Sequence, residues 1–102
     1  MTLNIRPRAQ ADVDELAAYL DDQDPDAGAR FLAALHHIFD RLITFPHYGT
    51  PWPTTNPQLA GLRRAILASF PVSVFYLPTQ TSVEIVRVLH QSRDTPPLLE
   101  HL

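Results

Sequence analysis

The chain has 102 residues, 45% hydrophobic and 19% charged, with a formal net charge of −3. That is the make-up of one folded domain, residues 1–102, with a single modest core and no second lobe. It has no cysteine, which excludes disulfides, thiolate metal sites and thiol nucleophiles. All eight formally positive side chains are arginines, four facing eight acids in residues 1–50 and four facing three acids in residues 51–102. A lysine-free, acidic chain lacks the basic face that nonspecific nucleic-acid binding requires, while arginine still suits bidentate contact with carboxylate or phosphate.

No apolar run approaches membrane-spanning length and the N-terminal Met1-Thr2-Leu3-Asn4-Ile5-Arg6 has no secretory apolar core, so a cytoplasmic location without membrane attachment is expected. Thr2 to Arg6 alternates Leu3 and Ile5 with polar neighbours, a short strand that Pro7 ends. Val13, Leu16, Ala17 and Leu20 then fall at helical spacing, and Asp12, Asp14 and Glu15 favour the N-terminal turns, so a helix is predicted from about Pro7 to Asp22. Asp24 is a good N-cap and Pro25 a good first helical residue, which predicts a second helix starting there. Its stripe of Phe31, Leu35, Ile38 and Leu42, flanked by Leu32 and Phe39, runs until Phe45-Pro46. Two amphipathic helices joined this closely form an antiparallel hairpin.

Residues 46–61 contain Pro46, Gly49, Pro51, Pro53, Pro57 and Gly61, and read as a stiff loop carrying Trp52. Three strands follow, Leu62 to Ala68, Val72 to Leu77 and Val83 to Leu89, joined by Ser69-Phe70-Pro71 and by Pro78 to Ser82. The implied architecture is α+β, β-α-α-β-β-β. The hairpin covers one face of a small curved antiparallel sheet, and the other face is left for a partner. The tail Thr95 to Leu102 brings Leu98, Leu99 and Leu102 after a Pro-Pro step.

Chemistry-bearing residues concentrate in the strands. The β-branched run from Val83 delivers His90, Arg93 and Asp94 at its end, where a sheet meets solvent. Arg63 and Arg64 are consecutive on a strand and point to opposite faces. If Arg87 and His90 converged with one of them, they would form a patch able to grip phosphate or a partner carboxylate; salt bridges to Glu84 and Asp94 are the structural alternative. Tyr19 and Trp52 could anchor a partner or sit at the margin of the core. His36 and His37 are about 100° apart on a helix, and His47 and His101 have no ligand spacing, so neither a metal nor another cofactor is expected. The serines lack the setting of a nucleophile elbow, and with three glycines there is no phosphate loop.

The features Asp12, Leu16 and Tyr19 in the first helix, Asp24-Pro25, Leu42 through Phe45-Pro46 and Gly49, Gly61-Leu62-Arg63-Arg64, Phe75-Tyr76, and Arg87-Val88-Leu89-His90 with Arg93-Asp94 together resemble the ParE branch of the RelE/ParE superfamily of type II toxin-antitoxin toxins. The resemblance runs over nearly the whole chain and implies the α+β fold above, growth inhibition, and neutralisation by a cognate ParD-like antitoxin through an amphipathic helix or strand. ParE-like toxins act on DNA gyrase, whereas RelE-like relatives cut messenger RNA on the ribosome. The ribonuclease branch resembles itself in a strand arginine near where Ser73 lies here, and in a basic surface. Cleavage would need a base for the ribose hydroxyl and charge to stabilise the phosphate, roles open in principle to His90, Arg87, Arg64 and Arg63. The missing strand arginine and the acidity favour gyrase binding, which needs no catalytic residue and no direct DNA contact by this chain. On that reading Arg63, Arg64, Arg87, His90, Arg93, Tyr19 and Trp52 are the candidates for contact with partner or target. A third possibility is a non-toxic module that binds an antitoxin-like repressor and modulates its action.

Overall fold

The computed structural model describes residues 1–93, with side chains through Ser92; the expectations for Asp94, for the Arg93 side chain and for the tail lie outside the described residues. The chain runs β1 (Thr2–Ile5), α1 (Pro7–Gln23), α2 (Ala27–Thr44), β2 (Thr50–Pro51), a 3-10 turn (Pro57–Leu59), β3 (Arg63–Ile66), β4 (Val72–Pro78), β5 (Ser82–His90) and a second 3-10 turn (Gln91–Arg93). Pro7 opens α1, where its missing N–H costs nothing. The second helix begins at Ala27, later than the Asp24-Pro25 signal suggests. Proline disfavours helical backbone in the residue before it, so Asp24 is extended (φ −157°, ψ 125°) and ends α1 instead of capping α2. Asp26 precedes α2 in a left-handed conformation (φ 68°). The cap comes from α1, where the Asp21 carboxylate accepts the Gly28 N–H at 2.8 Å. The helices meet closely here, because a Cβ on Gly28 would lie 2.8 Å from the Ala17 carbonyl oxygen.

The sheet has the order β1-β5-β4-β3-β2. It is mixed, which corrects the all-antiparallel expectation: β1 pairs parallel with β5 in the register Thr2↔Ser82 to Ile5↔Ile85, while the other pairings are antiparallel. Hairpin signals fix the local meander, but no local signal fixes the direction in which a strand joins one some 80 residues later. β2, inside the breaker-rich loop, adds the far edge. A bulge at Val86, where Phe75 pairs with Arg87 and Tyr76 with Ile85, shifts the alternation along β5. Val83, Ile85 and Val88 thereby join the cluster under the helices, with Phe31, Leu35, Leu42, Val74 and Tyr76.

Val86 and Leu89 join a second cluster with Phe75, Leu77, Leu59 and Leu62, against which Trp52 packs. Since Phe75 and Leu77 alternate with Val74 and Tyr76, this second cluster lies on the opposite sheet face. The face expected to await a partner is therefore covered by the chain's own loop. Burying each of these large side chains is worth about 1.5–3 kcal/mol, enough to hold a proline-rich segment down without regular structure. Among the described residues no helix is long and apolar enough to cross a membrane.

Candidate functional site

β1 stops at Ile5, where the Arg6 N–H donates to the Ile85 carbonyl (3.0 Å) and the chain turns into α1. β5 continues to His90, so residues 86–90 form an edge with no strand beside it, and α1 runs along that edge. Asp12, only 4% exposed, faces it. Its carboxylate accepts Arg87 Nε (2.7 Å), Arg87 Nη2 (3.0 Å) and the Val88 backbone N–H (3.0 Å). One side chain thus satisfies an orphan edge donor and neutralises a buried guanidinium, whose residue is 3% exposed. Arg8, one turn earlier, adds weaker attraction at 3.9 Å.

Beyond this closure the edge opens into a groove of about 360 Å³ between Glu15, Leu16 and Tyr19 of α1 and Val88, Leu89, His90 and Ser92. Tyr19 is 55% exposed. His90 Nδ1 accepts the Ser92 N–H at 3.2 Å and lies 2.9 Å from Ser92 Oγ, which places the ring proton of the neutral form on Nε2.

At the far side of the sheet, Tyr76 Oη donates to the Pro46 carbonyl and accepts the Gly49 N–H, both at 2.8 Å. Arg63 Nη1 donates to the Gly49 carbonyl at 2.7 Å. Gly49 is required by close approach, since a Cβ would stand 2.7 Å from the Arg64 carbonyl oxygen. Burial raises the Tyr76 phenol above its ordinary value, against smaller lowering effects of the Gly49 hydrogen bond and the Arg63 charge. Arg64, on the outer face, donates to Ser73 Oγ at 2.8 Å and lies 5.1 Å from the Trp52 ring centroid. Trp52 also meets Phe75 edge to face at 5.3 Å, and its buried Nε1 has no acceptor among the described residues.

The expected convergence of Arg87, His90 and Arg63 or Arg64 is not what the structure builds. Arg87 is spent on Asp12, a partner different from the Glu84 and Asp94 foreseen; Glu84 pairs with Arg6 instead, at 3.3 Å. Arg63 and Arg64 take opposite faces as strand alternation requires, and His90 closes on Ser92 at the other end of the sheet. Tyr19 borders the groove, whereas Trp52 belongs to the margin of the second core. Among the described residues no three His, Asp or Glu side chains gather in a metal-holding group.

Sequence reasoning missed Asp12 as the keystone of the edge. Its signal was legible, because Asp12 falls on the buried α1 stripe between Ala9, Val13 and Leu16, and a lone acid there requires a buried partner.

The family model for the ParE toxin of the type II toxin-antitoxin system, parDE, matches residues 3–95. The chain belongs to the ParE toxin family. Among similar proteins, the one named "Putative toxin Y4kP" in Sinorhizobium fredii is 33% identical over 92 residues, 90% of either chain. A solved structure titled "Chromosomal ParDE TA system from P. aeruginosa" superposes with a TM-score of 0.72, covering 88% of this chain and 95% of that one. At 20% identity, that likeness concerns the fold. This ParE-family toxin shares the fold of that structure, and its β5 edge is closed at Val88 by the Asp12–Arg87 pair.

Proposed function

We propose that this toxin stops growth by binding and poisoning DNA gyrase, and that a cognate ParD-like antitoxin neutralises it by occupying the α1–β5 groove. The observation carrying the binding reading is the dispersal of the groups that RNA cleavage would have to combine. His90 faces Ser92, Arg63 serves the Gly49 carbonyl, Arg64 is held by Ser73 Oγ and the Trp52 ring on the outer face, and Arg87 is locked onto Asp12. Acid–base chemistry on a ribose needs a base and a phosphate-stabilising charge within a few ångströms of one another. A toxin that acts by binding needs only a shaped surface.

The groove is where the antitoxin's contribution fits. It joins the open end of the β5 edge, past the Val88 amide that Asp12 already holds, to apolar side chains and to the exposed Tyr19, a combination suited to an added strand or an amphipathic helix. Because Asp12 consumes Arg87, and Arg63 and Arg64 do not line this groove, the expectation that Arg63, Arg64 or Arg87 grips a partner carboxylate gives way here to recognition through the open end of the edge, Tyr19 and His90. The location consistent with both partners is the cytoplasm.

The test incubates purified toxin with gyrase, ATP and supercoiled plasmid and looks for trapped double-strand breaks. Breaks that vanish on adding antitoxin support the proposal. Growth arrest without any effect on gyrase would overturn it and make messenger RNA the next substrate to examine. A chain that does not arrest growth at all would favour a non-toxic module.

A further inference from the structure

The exit of α2 carries a surface that the antitoxin groove does not share. Phe45 and Tyr48 are 58% and 50% exposed, side by side on the turn that closes when the Tyr48 N–H donates to the Phe45 carbonyl at 3.0 Å. With Arg41, Thr44, Pro46 and His47 they line a shallow, open depression. A second hollow of about 290 Å³ adjoins it, reaching His37 and Asp40 and sharing Arg41, Thr44 and Phe45. None of these residues borders the α1–β5 groove.

Three properties distinguish this patch from scattered surface aromatics. First, it is held rigid from behind: Tyr76 Oη grips Pro46 and Gly49, and Arg63 grips Gly49. A partner would not have to pay the ordering entropy of a mobile loop. Second, the Arg41 guanidinium lies over the Tyr48 ring, 5.2 Å from its centroid, and pairs with no carboxylate among the described residues. Aromatics beside such an arginine are the residue types that dominate binding energy at protein interfaces. Third, the hairpin is polarised. Exposed Asp21, Asp22, Asp24 and Asp26 crowd its turn, with Arg30 paired to Asp24, while at the α2 exit Arg41 and Asp40 balance formally beside His37 and His47, so the acidic charge lies at the turn.

We propose that the Arg41–Phe45–Tyr48 surface is the target-binding face of the toxin, and that it receives a protein segment with an apolar anchor beside a carboxylate for Arg41. The Arg41 guanidinium, which pairs with no carboxylate among the described residues, calls for one on the partner, and Phe45 and Tyr48 supply the exposed aromatic surface that anchors protein interfaces. The inference rests on the toxin reading but not on gyrase being the target. The antitoxin would silence the toxin from the separate groove by bulk or by covering the approach.

The test measures growth arrest on graded induction, alongside antitoxin affinity, soluble yield and thermal midpoint. The variants are Phe45→Ala/Tyr48→Ala, Arg41→Glu and, as a control on the same helix, Leu32→Ala. Both rings stand outside the core clusters, so their truncation should leave the midpoint near that of the wild type. The expected result is that the double variant and Arg41→Glu each need about tenfold more inducer for half-maximal arrest. Antitoxin affinity stays within about twofold, and Leu32→Ala behaves like the wild type. Unchanged arrest in the folded variants would overturn the proposal. A parallel loss of antitoxin affinity would also overturn it, by assigning the patch to the antitoxin. So would a loss confined to Arg41→Glu accompanied by binding of a labelled RNA oligonucleotide. Failure of the gyrase cleavage assay with arrest intact removes gyrase and leaves this inference standing, whereas a wild-type chain that never arrests growth overturns both.

Discussion

The β5 edge and the α2 exit loop both depend on one buried polar side chain that pins backbone from another part of the chain, yet they do it with different chemistry. At the edge, Asp12 binds a guanidinium and an amide 75 and 76 residues away, with both charged partners almost wholly out of water. At the loop, the neutral Tyr76 hydroxyl joins Pro46 and Gly49. The charged closure uses up the arginine that sequence alone offers as a ligand-binding group. The neutral closure leaves its neighbourhood's arginine, Arg41, and two aromatics facing solvent. Arg87 is made structural by a carboxylate buried with it and Arg63 by a backbone carbonyl, whereas Arg41 has neither among the described residues.

The sharpest way to break the comparison is to remove one charge from the edge. Arg87→Ala or Asp12→Ala should destabilise by about 3–5 kcal/mol, because each strands an unpaired charge in the interior. Replacing both by apolar residues of similar volume should cost less than either single change, as denaturant midpoints would show; additive losses would contradict the pairing. At the loop, Tyr76→Phe should cost about 1–3 kcal/mol by leaving the Pro46 carbonyl and the Gly49 amide unsatisfied, and Gly49 and its neighbours should then lose hydrogen-exchange protection. The half-buried Arg6–Glu84 pair, whose side chains are about one-third accessible, sets the lower bound. Glu84→Gln should move stability by less than about 1 kcal/mol, since solvent screens such pairs.

The loop also carries a pH signature. Burial raises the Tyr76 phenol above the ordinary 10.0, so the folded state holds this proton more tightly than the unfolded chain does. Stability from this group is complete below about pH 10 and declines as pH climbs from there through the folded value. An ultraviolet titration of tyrosinate should show a delayed ionisation that Tyr76→Phe abolishes, and its persistence in that variant would refute the assignment.

Much of the fold was legible because its signals are local. The α1 stripe, the α2 stripe ending at Phe45-Pro46 and the three-strand meander each follow from periodicity and turn residues. What escaped depends on distant partners. The parallel joining of β1 to β5, the bulge at Val86 and the laying of Leu59 and Leu62 over the outer sheet face are settled by packing that no short window contains. The site was less legible for the same reason. Arg63 and Arg64 were correctly split between faces by strand alternation. Arg87 was misread because its partner, Asp12, sits on another element, and Phe45 was read only as a helix end.

Amide hydrogen exchange of the toxin, alone and with its antitoxin bound, tests most directly the division between an antitoxin groove and a separate binding face. The account predicts new protection along residues 86–90 of β5 and the facing turns of α1 from Asp12 to Tyr19, with Phe45 to Tyr48 unchanged. Protection centred on residues 45–48, or spread over the loop from Trp52 to Leu62 with the β5 edge unaffected, would contradict it.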